Sequence, residues 1–94
     1  MALFAVRYDY DPAGAAARDE TRPAHREWLA GQASLRLSGP TTDDGAVLIF
    51  EGDSADAVAG VLDQDPFWRI GTILKRTVSE WNPVLGPWRD ALGL

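Results

Sequence analysis

Ala46-Val47-Leu48-Ile49-Phe50 is an unbroken apolar run, too short for an independent helix, and it follows the turn sequence Asp43-Asp44-Gly45. It predicts a β-strand covered on both faces. Successive side chains of a strand point to opposite sides, so Leu48 and Phe50 cannot share a face with Val47 and Ile49. Whatever fold contains this strand must bury two sheet faces.

The flanking segments supply one cover. Upstream, Leu3 to Tyr10 alternates, with Phe4, Val6, Tyr8 and Tyr10 on one side, and predicts a strand broken by Asp11-Pro12. Ala13 to Arg18 is small and polar and predicts a loop or a frayed turn. Thr21 to Gly31 predicts a helix: Thr21 can cap, Pro23 falls in the first turn, and Gly31 suits the stop. His25, Trp28 and Leu29 share a stripe of this helix, with Arg22 one turn earlier. Ser34 to Ser38 alternates as a second strand, which Gly39-Pro40 ends or bulges. Downstream, Asp53 or Ser54 caps a helix whose apolar stripe is Val58, Val61 and Leu62. Asp65-Pro66 then caps a further helical turn, Phe67-Trp68-Arg69. Thr72 to Trp81 predicts the last strand. Val84 to Leu94 is a tail with no clear period.

Strand, helix, strand, strand, helix, strand is the split βαβ, or ferredoxin-like, order. It gives an α+β fold with an antiparallel sheet and two helices on one face. One face of the two-sided strand is thereby covered. The expected cover for the other is a second copy of the chain, giving a homodimer.

The whole sequence, 94 residues, makes one domain, 1–94, with 84–94 as its tail. Its net charge is −5, which disfavours nucleic acid and anionic membrane surfaces as partners. No apolar stretch reaches the length of a membrane span, and the N-terminal run has no basic lead, so the expected location is cytoplasmic. Cysteine is absent and histidine occurs once, which excludes thiol nucleophiles and any site needing two His ligands from one chain. There is no nucleotide fingerprint, no serine-hydrolase elbow and no metal-ligand spacing, so no cofactor and no metal are expected; Asp43 and Asp44 are adjacent rather than spaced.

The candidate chemistry is sparse. His25 sits on the apolar stripe of its helix. An imidazole there is either a general acid/base or a structural histidine held by one hydrogen bond. Asp65 is an ordinary N-cap, and one of its oxygens could also orient an imidazole. Ser38 and Gly39 could offer a hydroxyl and close backbone approach to a small anion, or simply end a strand. Arg22, Arg7 and Arg36 are candidate anion clamps. Tyr8, Trp28, Phe67, Trp68 and Trp81 are candidate walls for a flat ring, or core and interface packing.

Four pieces in register resemble the YciI-like proteins (YCII-related domain) of the dimeric α/β-barrel superfamily. They are the strand at Leu3 to Tyr10, Arg22-Pro23-Ala24-His25, Ser38-Gly39-Pro40, and Asp65-Pro66-Phe67. Arg7 and Tyr8 depart from the simplest family pattern by being bulkier or more polar, and the tail lies outside the resemblance. The resemblance implies face-to-face packing of two sheets in a homodimer. It also implies a His–Asp pair in a cleft beside the sheet, carried here by His25 and Asp65. One relative is a dehydrochlorinase acting on a chlorinated hydroxyquinol, and muconolactone isomerases share the superfamily. The expectation is a small cofactor-independent enzyme of lyase or isomerase type. Catalytic His25 and Asp65 would act on an anionic or aromatic small molecule held by Arg22, Ser38, Gly39, Tyr8, Phe67 and Trp68. The alternative is a non-catalytic dimeric binding or accessory module.

Overall fold

The structure is a computed structural model that describes residues 2–93. Its elements are β1 (Ala2–Tyr10), α1 (Ala15–Ala30), β2 (Leu35–Thr41), β3 (Gly45–Gly52), α2 (Ala55–Leu62), α3 (Pro66–Arg69), β4 (Ile73–Trp81) and α4 (Trp88–Ala91). The strands form one antiparallel sheet in the order β2-β3-β1-β4. Each βαβ unit thus leaves a gap that a strand of the other fills, which is the ferredoxin-like arrangement.

Register assigns the faces. Phe4, Val6 and Tyr8 of β1 stand beside Phe50, Leu48 and Ala46 of β3. Together with Val58, Leu62, Phe67 and Ile73 they form the buried core under the helices. On the reverse face Ala5 and Arg7 pair with Ile49 and Val47, and Leu3 pairs with Trp81. Strand β3 therefore has two apolar faces, as its unbroken run requires. Gly45, at its start, has no room for a side chain: a Cβ there would collide with the Tyr8 carbonyl oxygen and the Arg7 guanidinium. The preceding Asp44 takes the left-handed turn conformation at φ 59°.

Helix α1 departs from expectation. It begins at Ala15 rather than near Thr21, Gly14 provides no side-chain cap, and Pro23 lies inside it. Three alanines are strong helix formers, and Pro23 removes only one interior hydrogen bond. What fixes the early start is Arg18. It is 4 % exposed, donates to the backbone carbonyls of Asp11 and Thr72, and lies over the Tyr10 ring at 4.5 Å. These cation–π and charge-assisted contacts anchor the first turn of the helix to the sheet. A 3-10 turn at Pro12–Gly14, capped by the Asp11 side chain, precedes the helix.

Smaller differences follow the same logic. Strand β2 continues through Gly39 and Pro40 to Thr41, because at the edge of a sheet a proline loses no ladder bond. Ser54, not Asp53, caps α2 by accepting from the Ala57 N–H. The tail holds the short helix α4 and lies beside the reverse sheet face. The expectation that only a second copy is left to cover that face is corrected: the chain's own tail lies beside it.

Candidate functional site

Asp65 stands where α2 has ended and α3 begins. Its extended backbone and the fixed φ of Pro66 aim the carboxylate at the first turn of α3, where Oδ1 accepts the Phe67 N–H at 2.9 Å. Helix α1 packs against α3 and brings His25 to the same oxygen: His25 Nδ1 lies 2.7 Å from Asp65 Oδ1. From beneath, in β1, the Tyr8 hydroxyl donates to Oδ2 at 2.9 Å. Asp65 and Tyr8 are both completely buried. A buried carboxylate needs donors, and this one has a ring N–H, a backbone N–H and a phenol. Because a carboxylate only accepts, Nδ1 is the donor and carries the proton. That leaves Nε2 as the other ring nitrogen, and no described residue hydrogen-bonds to it.

The imidazole is held as firmly by packing as by hydrogen bonding. Its ring is stacked on Phe67 with centroids 3.9 Å apart and planes 2° from parallel. Phe67 in turn meets Tyr10 edge-on at 5.8 Å. His25 keeps 12 % of its side chain accessible, through a cleft of about 300 Å³. That volume is at the small end for ligand sites. Arg22, Arg26, Ser38, Gly39, Pro40, Tyr10 and Phe67 line the cleft around His25. Arg22 is also bonded to Asp19 at 2.6 Å in an exposed pair, which leaves its guanidinium near the Phe67 ring at 5.9 Å.

His25, Arg22, Ser38, Gly39 and Phe67 are therefore brought to one cleft, with Asp65 behind the imidazole. Two expected lining residues are not. Tyr8 lies beneath Asp65 and does not reach the cleft; its burial and the neighbouring carboxylate push its phenol well above the ordinary range, so it is a permanent donor there. Trp68 points to the other side of α3, where Arg76 lies 3.9 Å over its ring. Of the other arginines, Arg7 is tied to Asp9, Thr41 and Asp43, and Arg36 to Glu51, away from the cleft. Asp65 also differs in detail from expectation: cap and imidazole share Oδ1, and Oδ2 goes to Tyr8. Arg26 and Tyr10 were not foreseen. Their signals were periodic: Arg26 is one turn after Arg22, and Tyr10 follows Tyr8 on one strand face.

A second hollow of about 990 Å³ lies on the reverse sheet face, between the tail and Leu37, Val47, Ile49 and Trp81. It is apolar and holds no part of the His25 cluster. No group of three or more His, Cys, Asp or Glu that could hold a metal occurs among the described residues. No helix among them is long and apolar enough to cross a membrane.

Comparison with known proteins places the chain in a family. The chain is similar to the 5-chloro-2-hydroxyhydroquinone dehydrochlorinase of Burkholderia phenoliruptrix, solved in complex with 2,5-dihydroxybenzoquinone, with 29% identity over 87% of this chain and 95% of that one, at a TM-score of 0.78. More distant likenesses show the fold alone. An uncharacterised NIPSNAP domain protein from Burkholderia xenovorans has 14% identity and a TM-score of 0.56, covering 89% of this chain and 95% of that one. A candidate antibiotic biosynthesis monooxygenase from Nitrosomonas europaea has 14% identity and a TM-score of 0.53, covering 90% and 100%. No curated protein sequence matches. A family profile, the YCII-related domain, matches residues 2–82, from the first strand to the end of the sheet and short of the tail. The chain belongs to the YCII-related domain family.

Proposed function

We propose that the chain is a small cofactor-independent enzyme of lyase or isomerase type that moves a proton on a small cyclic or phenolic acid. The observation that carries this reading is the His25–Asp65 pair, completely buried at the carboxylate and open to a cleft at the imidazole. In the proposed step, His25 Nε2 takes a proton from the bound ring compound. The imidazolium that forms is stabilised through its Nδ1–H by Asp65, which orients the ring without itself taking the proton. The electron pair left on the substrate either expels a leaving group as an anion or shifts the double bond. In the second case His25 returns the proton at another atom. Each version conserves charge and needs no oxidant.

The cleft suits such a substrate. Its floor is the stacked His25–Phe67 pair, and its wall carries Arg22 and Arg26, two cations in a chain of net charge −5. A planar anion is the complementary guest. The likeness to a dehydrochlorinase solved with a dihydroxybenzoquinone points the same way. The absence of Trp28 and Trp68 from the cleft lining favours the enzyme over the non-catalytic module, because neither indole fills it.

The proposal includes a homodimer. The reverse face carries Leu37, Val47 and Trp81, all more than 40 % exposed, beside the nearly buried Leu3 and Ile49. Covering such a face with its own copy, at ~25 cal/mol per Å² over a standard interface, is ample to hold two chains. Light scattering at micromolar concentration tests it; a 10.2 kDa species would rule it out.

The test of the reaction is turnover of small lactones and hydroxylated or chlorinated aromatic acids. It is followed by chloride release and by deuterium uptake from heavy water into recovered substrate. Exchange or release by the parent chain, lost in folded His25→Ala, supports the reading. Binding without any exchange supports the module. Full turnover by folded His25→Ala removes His25 from the chemistry.

A further inference from the structure

Tyr8 was expected to touch the ligand, yet it is completely buried and spends its hydroxyl on Asp65 Oδ2 at 2.9 Å. Without that donor, Oδ2 would be an unsatisfied carboxylate oxygen in the core. Asp65 makes no ion pair with arginine or lysine among the described residues; its only ion-pair partner is His25. The charge of the carboxylate is thus shared between a phenol on one oxygen and an imidazole and a backbone N–H on the other. We propose that Tyr8 is a positioning residue that acts on His25 through Asp65, setting how strongly the carboxylate pulls on the Nδ1 proton.

The relay runs Tyr8 O–H to Oδ2 and Nδ1–H to Oδ1, across a single carboxylate. A phenol donating to Oδ2 withdraws charge from the carboxylate and makes it a weaker acceptor for Nδ1–H. The balance of the two hydrogen bonds on one carboxylate thus sets how strongly an imidazolium formed at His25 is held through Nδ1–H. Tyr8 can play only this part. Burial beside a carboxylate holds its phenol protonated, so it neither accepts from Asp65 nor ionises near neutrality. The other charged or titratable groups around the relay are fixed by separate contacts. Arg22 is paired with Asp19, Arg18 lies over Tyr10, and Arg76 is paired with Asp63. Arg26 and Tyr10 line the cleft.

This inference rests on the proposed use of His25 as the proton carrier, but its test needs no substrate, so the two can fail separately. The chain has one histidine and two tyrosines. In untagged protein labelled with ¹⁵N-histidine, the imidazole signals belong to His25 alone. In Tyr8→Phe, which keeps the ring and loses only the hydroxyl, we expect the His25 pH profile to move to higher pH. Its Nδ1–H resonance should move downfield as the bond to Asp65 shortens. An unchanged titration and proton resonance in a folded variant overturns the proposal. If Tyr8→Phe does not fold, the parent chain labelled at tyrosine Cζ gives the answer. The Tyr8 signal should follow the His25 titration step through Asp65, with Tyr10 as internal reference, and a flat Tyr8 signal across that step overturns the proposal equally.

Discussion

The two hollows of this molecule are unlike in size and lining. The reverse-face hollow has about three times the volume of the His25 cleft, 990 against 300 Å³, and is walled mainly by apolar side chains such as Leu37, Val47, Ile49, Trp81 and Trp88, with Arg36 and Arg89 at its margin. The smaller cleft has arginines, a serine and the imidazole. Behind the small cleft every polar atom of Asp65 has a partner at fixed distance. On the large one's side of the sheet Arg7 and Arg36 are spent on surface ion pairs, Arg7 with Asp9 and Asp43 and Arg36 with Glu51. Room alone does not make a reactive site. Chemistry needs groups held in one orientation by neighbours that cannot move, whereas an open apolar face needs only a complementary surface.

The sharpest way to break the comparison is to remove the imidazole. His25→Ala should lower turnover of an identified substrate by about 10²–10⁴-fold. It should leave self-association unchanged, because His25 is on the helix side of the sheet. Steady-state kinetics beside light scattering checks both halves. The reciprocal change is Val47→Asp, a charge at an exposed position of the reverse face. It should weaken self-association by about 3 kcal/mol, roughly 100-fold, with the His25 imidazole resonances unmoved. Sedimentation together with the histidine spectrum separates the two hollows directly. If Val47→Asp disturbs His25, they are one unit.

Asp65→Asn should act on the fold as well as on the cleft, since Asp65 is both cap and acceptor. Thermal melts should show a loss of about 1–2 kcal/mol, or roughly 4–16 °C for a chain of this size. The Tyr8 phenol supplies a pH test. Its folded value is raised above the ordinary 10.0, so both states hold the proton at neutral pH, and above pH 10 only the unfolded chain releases it readily. Stability should therefore fall by about 1.4 kcal/mol per pH unit above 10, with tyrosinate absorbance rising together with unfolding and not before it. Tyr8→Phe should flatten that slope. The smallest effect is at the cleft wall: Arg26→Gln should weaken binding of a small aromatic carboxylate about three- to fivefold, an effect that shrinks as salt is added. Calorimetric titration at two ionic strengths measures it.

Much of the fold was legible because strand alternation is a local property. Phe4, Val6 and Tyr8 share a face by parity alone, and Val47 and Ile49 must face away from Leu48. The Ser54 and Asp65 caps were legible for the same reason, since their partners are two or three residues away. The start of α1 was not, because it depends on Arg18 reaching a carbonyl at Thr72, 54 residues distant. In the site, periodicity placed Tyr8 on the correct face but could not say that Asp65 would lie above it, so it was assigned to the ligand. Trp68 was a candidate for the cleft as an aromatic wall for a flat ring, but one residue on from Phe67 a 100° turn of helix sends it to Arg76 instead.

The stacking of His25 on Phe67 has a consequence for how such a site can be moved or rebuilt. Asp65 and Phe67 are two residues apart, and Pro66 between them fixes the backbone that separates them. Acceptor and platform thus travel as a three-residue cassette, Asp65-Pro66-Phe67, while the imidazole comes from a different helix. A length change in the loop between α2 and α3 would displace both halves of the imidazole's seat together and preserve their mutual geometry. Grafted after the second helix of another split-βαβ scaffold, the cassette would need one histidine on the facing helix, and a buried hydroxyl donor beneath the carboxylate as Tyr8 provides here, to rebuild the seat entire.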